Sequence, residues 1–205
     1  MRKKFLIPML YKEVYEKAIS WIPNGSRVLD LGTGDGSFLK ELILKKKVIG
    51  EGVEINPNLV SLCIQKGLVV HQGDIMDGLD QYDNFSFDYI FLLGTFQELS
   101  NPNRIIEEIF RVGKNLIIAY NNFAHWQIRF QIMFLGKTPI TSSMPYPWYN
   151  SPNVQYFSIK DFRTYCNSKN LKIIKESFFH KYGEINFIPN FFAEQALAHV
   201  VKNVT

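Results

Sequence analysis

The stretch VLDLGTGDGSFLKEL, residues 28–42, decides how the rest of the chain is interpreted. It joins an apolar run, an acidic residue, three alternating glycines and the start of an amphipathic pattern. This order is typical of a buried strand that ends in a tight turn and leads into a helix. Turns of this kind often bind phosphate groups at the helix N-terminus, so the first question is which ligand this turn fits.

The same alternation of strands and helices continues on both sides of the turn. The strand patterns lack polar alternation, which indicates a parallel sheet covered on both faces, and so an open doubly wound α/β fold. The predicted strands are 27–31, 48–55, 68–74, 87–94, 114–120 and 171–179, followed by an apolar run near 192–201. The predicted helices are about 9–22, 37–46, 57–67, 101–113 and 159–169.

This rhythm breaks at residues 121–158, which are rich in Asn, Pro, Trp and Tyr. A long irregular stretch inside a compact domain is usually functional. We therefore expect an insertion here that forms a lid over the site or a docking surface for another protein. Its aromatic cluster of Tyr146, Trp148 and Tyr149 lies among prolines, which reduce the entropy that is lost on closure or binding.

Length and composition limit the number of domains and the classes of partner that the chain can have. The 205 residues suffice for one sizeable core, so we expect a single domain over 1–205. The net charge of +4 is spread out, without the dense basic face that indicates a nucleic-acid partner. Cys63 and Cys166 lie far apart in the chain, which argues against a disulfide framework or a metal site. No apolar run fits a signal peptide or a membrane span, so we predict a cytoplasmic protein without a membrane partner.

Two phosphate-binding turns fit the glycine stretch poorly. A P-loop needs a lysine followed by Ser or Thr, and no such pair follows these glycines. A dinucleotide-binding turn would place a third glycine at position 37, where the chain has Ser37. Asp30 stands two residues before the first glycine, where a carboxylate would repel a pyrophosphate.

An acid followed by G-x-G-x-G suits a neutral or cationic ligand instead. Asp30 could orient a positively charged group, while the glycines let the backbone approach closely. Glu54 ends the second predicted strand, where a carboxylate can accept hydrogen bonds from both hydroxyls of a ribose. Asp74 follows the third predicted strand and could meet the amine of an adenine. Because parallel strands end at one crevice, the three acids together indicate S-adenosyl-L-methionine (SAM).

The motifs VLDLGTGDG, GVEI and QGD resemble the first three signature motifs of class I SAM-dependent methyltransferases. The resemblance implies a Rossmann-like class I methyltransferase fold, with a mostly parallel seven-stranded sheet, helices on both faces and an antiparallel last strand. It implies that the glycines border the methionine moiety, that Glu54 binds the ribose and that Asp74 binds the adenine. Ile55 and Ile75 would pack on the base. The full predicted cofactor set is Asp30, Gly32, Thr33, Gly34, Gly36, Glu54, Ile55, Asp74, Ile75 and Leu93.

A narrower resemblance runs from about Arg27 to Phe178. This part of the chain is similar to the MetW family of methionine-biosynthesis proteins, and PYPWYNSPN is its most distinctive piece. Thr33 departs from the family pattern, which usually has cysteine at this place in the glycine loop. The resemblance implies a role in methionine biosynthesis together with homoserine O-acyltransferase (MetX). That enzyme is therefore the predicted partner, beside a small-molecule substrate.

Residues that follow the fourth and fifth predicted strands are candidates for contact with a substrate or a partner. His125 is the only histidine at this rim and is the candidate general base, although a structural role beside Trp126 is also compatible with the sequence. The same alternative holds for the stretch GTFQEL at 94–99. The predicted substrate or partner residues are Thr95, Gln97, Asn121, Asn122, Tyr146, Trp148 and Tyr149.

These observations leave three functions open. The first is a SAM-binding methyltransferase-like protein of methionine biosynthesis that works with homoserine O-acyltransferase. The second is a partner of that enzyme that senses SAM without transferring a methyl group. The third, favoured least by the charge distribution, is a methyltransferase of RNA or of a small molecule in another pathway.

Overall fold

The computed structural model describes residues 11–203, apart from the side chain of Met76. Strands and helices alternate through the first half of the chain. The strands are β1 (Arg27–Leu31), β2 (Ile49–Glu54), β3 (Val69–Gln72), β4 (Phe87–Leu93), β5 (Gly113–Asn121), β6 (Leu171–His180), β7 (Gly183–Glu184) and β8 (Gln195–Lys202). The helices are α1 (Lys12–Ser20), α2 (Ser37–Lys46), α3 (Pro57–Gln65), α4 (Ile75–Gly78), α5 (Pro102–Val112), α6 (Trp126–Leu135), α7 (Ile159–Ser168) and α8 (Pro189–Phe192).

The strands form one sheet in the order β3-β2-β1-β4-β5-β8-β6-β7. The pairs among β1 to β5 are parallel, and β8 runs antiparallel between β5 and β6. The α/β fold with a mostly parallel sheet and an antiparallel last strand is therefore confirmed. The carboxyl ends of β1 to β4 meet at one edge, which is where such sheets bind ligands.

Two hydrophobic clusters cover the two faces of the sheet. Leu29 and Leu31 belong to one cluster, whereas Val28 between them belongs to the other. This alternation follows from the two-residue period of a strand. Helix α5 packs on the first face through Ile105 and Ile109, and α2 packs on the second. Because β1 is buried on both faces, its end and the glycine turn that follows are held in a fixed position.

The structure differs from the sequence prediction at several elements. The sheet has eight strands rather than seven, because a two-residue strand, β7, pairs with the end of β6. The expected irregular insertion at 121–158 begins inside β5 and contains helix α6. The apolar residues of α6 do not follow the period of a buried face, and most are exposed, so periodicity did not reveal this helix. The first helix begins at Lys12, and positions 9–10 of its predicted range lie outside the described residues.

No helix within residues 11–203 is long and apolar enough to cross a bilayer.

Candidate functional site

A cavity of about 750 Å³ lies at the carboxyl ends of β1, β2, β3 and β4. Nine of the ten predicted cofactor residues line it, and the exception is Gly36, which stands at the N-terminus of α2. Among the predicted substrate or partner residues, Thr95 alone lines it. Glu98 and Leu99 of the stretch 94–99 and Pro152 of the insertion also line it. The lining further includes residues that the sequence did not single out, namely Tyr15, Asp35, Phe38, Glu41 and Leu59.

The three glycines of the turn all adopt the left-handed backbone conformation that side chains disfavour, with φ values of 79°, 60° and 77° at Gly32, Gly34 and Gly36. Gly32 and Gly36 also lack room for a side chain. A Cβ on Gly32 would lie 2.6 Å from the Thr95 hydroxyl oxygen, and one on Gly36 would lie 2.8 Å from the Cys63 sulfur. The turn therefore requires glycine at all three positions for conformation, and at Gly32 and Gly36 for packing as well.

Glu54 holds the turn in place from the end of β2. Its Oε2 accepts a hydrogen bond from the Gly34 N–H at 2.8 Å, and its Oε1 accepts one from the Asn56 N–H at 2.8 Å. The side chain is buried at the cavity wall. A carboxylate oxygen can accept two hydrogen bonds, so each oxygen retains one acceptor position for a ligand.

Asp30, at the inner end of β1, is the most deeply buried acid of the cavity, with 3% of its surface exposed. Its carboxylate makes no hydrogen bond or ion pair with any side chain or backbone group that the structure describes. Burial, and then the charge of Glu54, raise the pKa of this carboxyl to about 7. A buried carboxylate without a partner is costly, and a cation in the cavity would relieve that cost.

Thr33 lines the cavity, but its hydroxyl is occupied by the backbone. It donates to the carbonyl oxygen of Asp30 at 2.8 Å, and the side chain packs directly over Gly52 of β2. This threonine thus closes the turn against the neighbouring strand.

Lys66, at the C-terminal end of α3, binds the turn, a role that the sequence did not reveal. Its ammonium donates to the Asp35 carbonyl oxygen at 2.6 Å, to Asp35 Oδ2 at 2.9 Å and to Ser37 Oγ at 2.9 Å. Hydrogen bonds from Ser37 and Lys66 outweigh burial and lower the pKa of Asp35. The lysine charge is therefore directed at the loop and not into the cavity.

Several of the predicted substrate, partner and catalytic residues lie outside the cavity lining. Gln97 is 1% exposed, and its side chain pairs with the backbone of Asn121 through bonds of 2.9 and 3.2 Å. The Asn122 amide nitrogen donates to the carbonyl oxygen of Ala193 at 2.8 Å. His125 is buried beside Trp126, and burial lowers its pKa to about 4. The cavity lining contains none of Gln97, Asn121, Asn122 and His125.

The aromatic cluster of residues 146–149 is split between two environments. Trp148 and Tyr149 are 71% and 74% exposed and do not line the cavity. Tyr146 is half-buried, and its pKa is raised by burial and by the charge of Glu98, which lines the cavity. The segment thus forms part of the cavity wall at Pro152, lies near Glu98 at Tyr146, and presents Trp148 and Tyr149 to solvent.

Comparison with known proteins identifies the family. The family model described as methionine biosynthesis protein MetW matches residues 12–200. The chain belongs to the MetW family. A curated relative of this MetW protein is the bifunctional methionine biosynthesis protein MetXA/MetW of Rhodopirellula baltica, 31% identical over 172 residues. That alignment covers 80% of this chain but 28% of the relative, so the MetW chain spans little more than a quarter of it.

Solved structures agree with the fold. A SAM-dependent methyltransferase from Thermotoga maritima superposes with a TM-score of 0.66 at 17% identity, covering 93% of the MetW chain and 88% of its own. TrmK of M. capricolum, solved with S-adenosylhomocysteine (SAH), superposes with a TM-score of 0.57 at 17% identity, covering 95% and 70%. The MetW chain thus has the class I methyltransferase fold.

Proposed function

We propose that this MetW protein binds SAM in the cavity at the ends of β1 to β4 and acts as a methyltransferase in methionine biosynthesis. The observation that carries the proposal is the shared wall of the cavity, where the glycine turn, Glu54 and Asp74 meet the unpartnered carboxylate of Asp30. These four features suit the methionine, ribose, adenine and cationic parts of one ligand.

The acceptor positions of the cavity support this assignment. Each carboxylate oxygen of Glu54 can accept one further hydrogen bond, and together they match the two hydroxyls of a ribose. Ile55 and Ile75 line the cavity together with Asp74 and offer apolar surface for the base. Asp30 would pair with the positive charge of the methionine moiety, since an opposite charge stabilises the carboxylate form.

Bound SAM supplies a methyl group on a positively charged sulfur. The chain contributes position and exclusion of water, which are the main contributions that methyl transfer to a good nucleophile needs. The glycine turn fixes the methionine end, and Glu54 fixes the ribose. An oxygen nucleophile would also need a base, and the sequence offers His125 for that task. His125 is buried and does not line the cavity, so no proton transfer is assigned to it.

Isothermal titration calorimetry with SAM and with SAH tests the binding step. We expect both to bind, and Glu54→Ala to weaken both at least tenfold. Glu51→Ala is the matched control, because Glu51 lies on the same strand but bonds Tyr82 at 3.1 Å outside the cavity. Absence of heat with the native protein, or equal affinity in the Glu54 variant, would contradict the proposal.

The fused relative supports a partner as well. Its name joins MetXA with MetW in one chain, and fusion places two activities at high effective concentration. We infer that this chain associates with homoserine O-acyltransferase. Size-exclusion chromatography of the two purified proteins tests this, and separate elution at micromolar concentrations would argue against a stable complex.

The fusion also favours a second function, a SAM-sensing partner that changes the acyltransferase rate without methyl transfer. The two functions differ in their response to SAH. A sensor would change the acyltransferase rate with SAH as it does with SAM, because no methyl group is needed. A methyltransferase would release SAH from SAM, and release is measured directly.

A further inference from the structure

The β4 end of the cavity has a carboxylate that the proposed SAM site does not use. Glu98 ends a 3-10 helix, Phe96–Glu98, and lines the cavity beside Thr95, Leu99 and Pro152. Its side chain makes no hydrogen bond or ion pair with the part of the chain that the structure describes. Burial, and then the charge of Glu54, raise its pKa.

The sheet order places Glu98 at the opposite end of the cavity from Asp74. Along the edge of the sheet, Asp74 follows β3, Glu54 ends β2, the glycine turn follows β1, and Glu98 comes after β4. The adenine and ribose would lie toward β3 and β2. The β4 end is therefore the space that remains for a methyl acceptor.

The position of Glu98 is fixed by the segment that follows α6. The backbone N–H groups of Val154 and Gln155 both donate to the carbonyl oxygen of Gln97 at 2.9 Å. Pro152 of the same segment forms part of the cavity wall, and Tyr146 is close enough for the Glu98 charge to raise its pKa. Glu98 is thus held between β4 and this segment, at a wall that an acceptor would contact.

The charged residues described in the cavity lining are all acidic. None of the described lining residues is a lysine, arginine or histidine, while six are acidic. Lys66 neutralises Asp35 at 2.9 Å and Lys45 neutralises Glu41 at 2.6 Å. The acids are Asp30, Asp35, Glu41, Glu54, Asp74 and Glu98.

Bound SAM does not balance this charge. Its sulfonium, ammonium and carboxylate sum to one positive charge, while Asp30, Glu54 and Glu98 have no lysine or arginine partner among residues 11–203. The remaining negative field disfavours an acceptor that carries a carboxylate or a phosphate. It favours one that carries a positive charge, because a cation lowers the cost of the buried carboxylates.

We propose that the methyl acceptor is an amine that is protonated in solution and that Glu98 binds its ammonium group. This inference rests on the proposed function, because it assigns the acceptor end of the same site. The ammonium first gives one proton to the Glu98 carboxylate. The freed nitrogen lone pair then forms the new N–CH₃ bond while the S–CH₃ bond breaks, and the electron pair of that bond stays on the sulfur. The products are a methylated ammonium and SAH.

The test uses protein saturated with SAH and two pairs of probes of matched shape. The amines are tyramine and cadaverine, and the corresponding acids, with a carboxylate in place of each ammonium, are 3-(4-hydroxyphenyl)propionate and pimelate. We expect at least one amine to bind in titration calorimetry below 10 mM, with neither acid binding as tightly. Glu98→Gln should weaken that amine at least fivefold and change SAH affinity less than twofold. Glu16→Gln is the charge-matched control, since Glu16 pairs with Lys12 on α1 away from the cavity.

The outcomes separate the two proposals. Failure of SAH to bind overturns the proposed function itself. If SAH binds, the amine proposal is overturned when no amine binds below 10 mM, when an acid binds more tightly, or when Glu98→Gln leaves amine affinity unchanged. An equal loss in the Glu16 control would also overturn it, because the effect would then be one of net charge.

Discussion

Glu54 Oε2 accepts a hydrogen bond from the backbone N–H of Gly34 at 2.8 Å. The side chain at the end of β2 therefore shapes the turn that follows β1, while the same carboxylate faces the cavity. One residue serves both the structure of the site and the binding of the ligand. Substitutions at Glu54 should consequently change stability and affinity by different amounts.

We expect Glu54→Ala to be less stable than Glu54→Gln. The alanine leaves the Gly34 and Asn56 N–H groups without their acceptor, whereas glutamine keeps one carbonyl oxygen. Loss of a buried acceptor costs about 1–3 kcal/mol for each unsatisfied group. Urea denaturation measures the order of stability, and SAM titration should show weak binding in both variants. Equal stability of the two variants would contradict this structural role.

SAM affinity should fall as the pH drops below 7. The pKa of Asp30 is about 7 in the ligand-free protein, and a cationic ligand stabilises the charged carboxylate and lowers that pKa. Binding then requires loss of the proton at low pH, with up to about tenfold weaker affinity per pH unit. Calorimetry between pH 5.5 and 8 measures the slope of SAM affinity against pH. Asp30→Asn should bind SAM more weakly and lack this part of the slope, and an identical slope in the variant would contradict the assignment.

Asp30→Asn should stabilise the ligand-free protein at pH 8. Burial raises the carboxyl pKa from 3.8 to about 7, so the folded state holds a proton between these values that the unfolded state has released. The stability from that proton is present at low pH and is lost as the pH rises through 7. The amide has no charge to bury, so we expect a gain of about 2–4 kcal/mol at pH 8 and little change at pH 4. Thermal unfolding at both pH values measures the difference, and a gain of the same size at pH 4 would argue against it.

Substitutions at Gly52 and Thr33 should have strongly non-additive effects on the free energy of unfolding. A Cβ on Gly52 would overlap the Thr33 hydroxyl and lie 3.0 Å from its methyl carbon, so Gly52→Ala should cost about 1–3 kcal/mol. Thr33→Ala alone loses its hydrogen bond to the Asp30 carbonyl oxygen, at about 1 kcal/mol. The double variant removes the overlapping atoms and should be more stable than the sum of the single changes predicts. Additive free energies of unfolding would show that the packing relationship is wrong.

Gln97→Ala should reduce stability without reducing SAM affinity. Both polar atoms of the side chain bond to the backbone of Asn121, and their loss should cost about 1–3 kcal/mol. Because Gln97 does not line the cavity, SAM titration should stay within twofold of the native protein. A large loss of affinity at unchanged stability would instead show that Gln97 contacts the ligand, as the sequence predicts.

Part of the site was predictable from sequence because its residues follow the ends of consecutive parallel strands. The glycine turn, Glu54 and Asp74 each occupy such a position, and the sheet brings them together. Gln97 and Asn122 occupy similar positions after β4 and β5, yet their side chains form hydrogen bonds with backbone groups. Position after a strand places a residue at the edge of the sheet, but it does not determine the direction of its side chain.

The sequence by itself determined the α/β architecture, the glycine turn and the acids around it, because these depend on local periodicity and on residue types that few backbones tolerate. Only the tertiary structure showed that Lys66 holds the turn, that Glu98 rather than Gln97 lines the cavity, and that His125 does not line it. Lys66 directly follows α3 and the Asp35 that it binds precedes α2, so no local pattern links them. Their contacts arise from the packing of helices against the sheet, and the direction of each side chain is decided by which neighbours remain to satisfy its polar atoms.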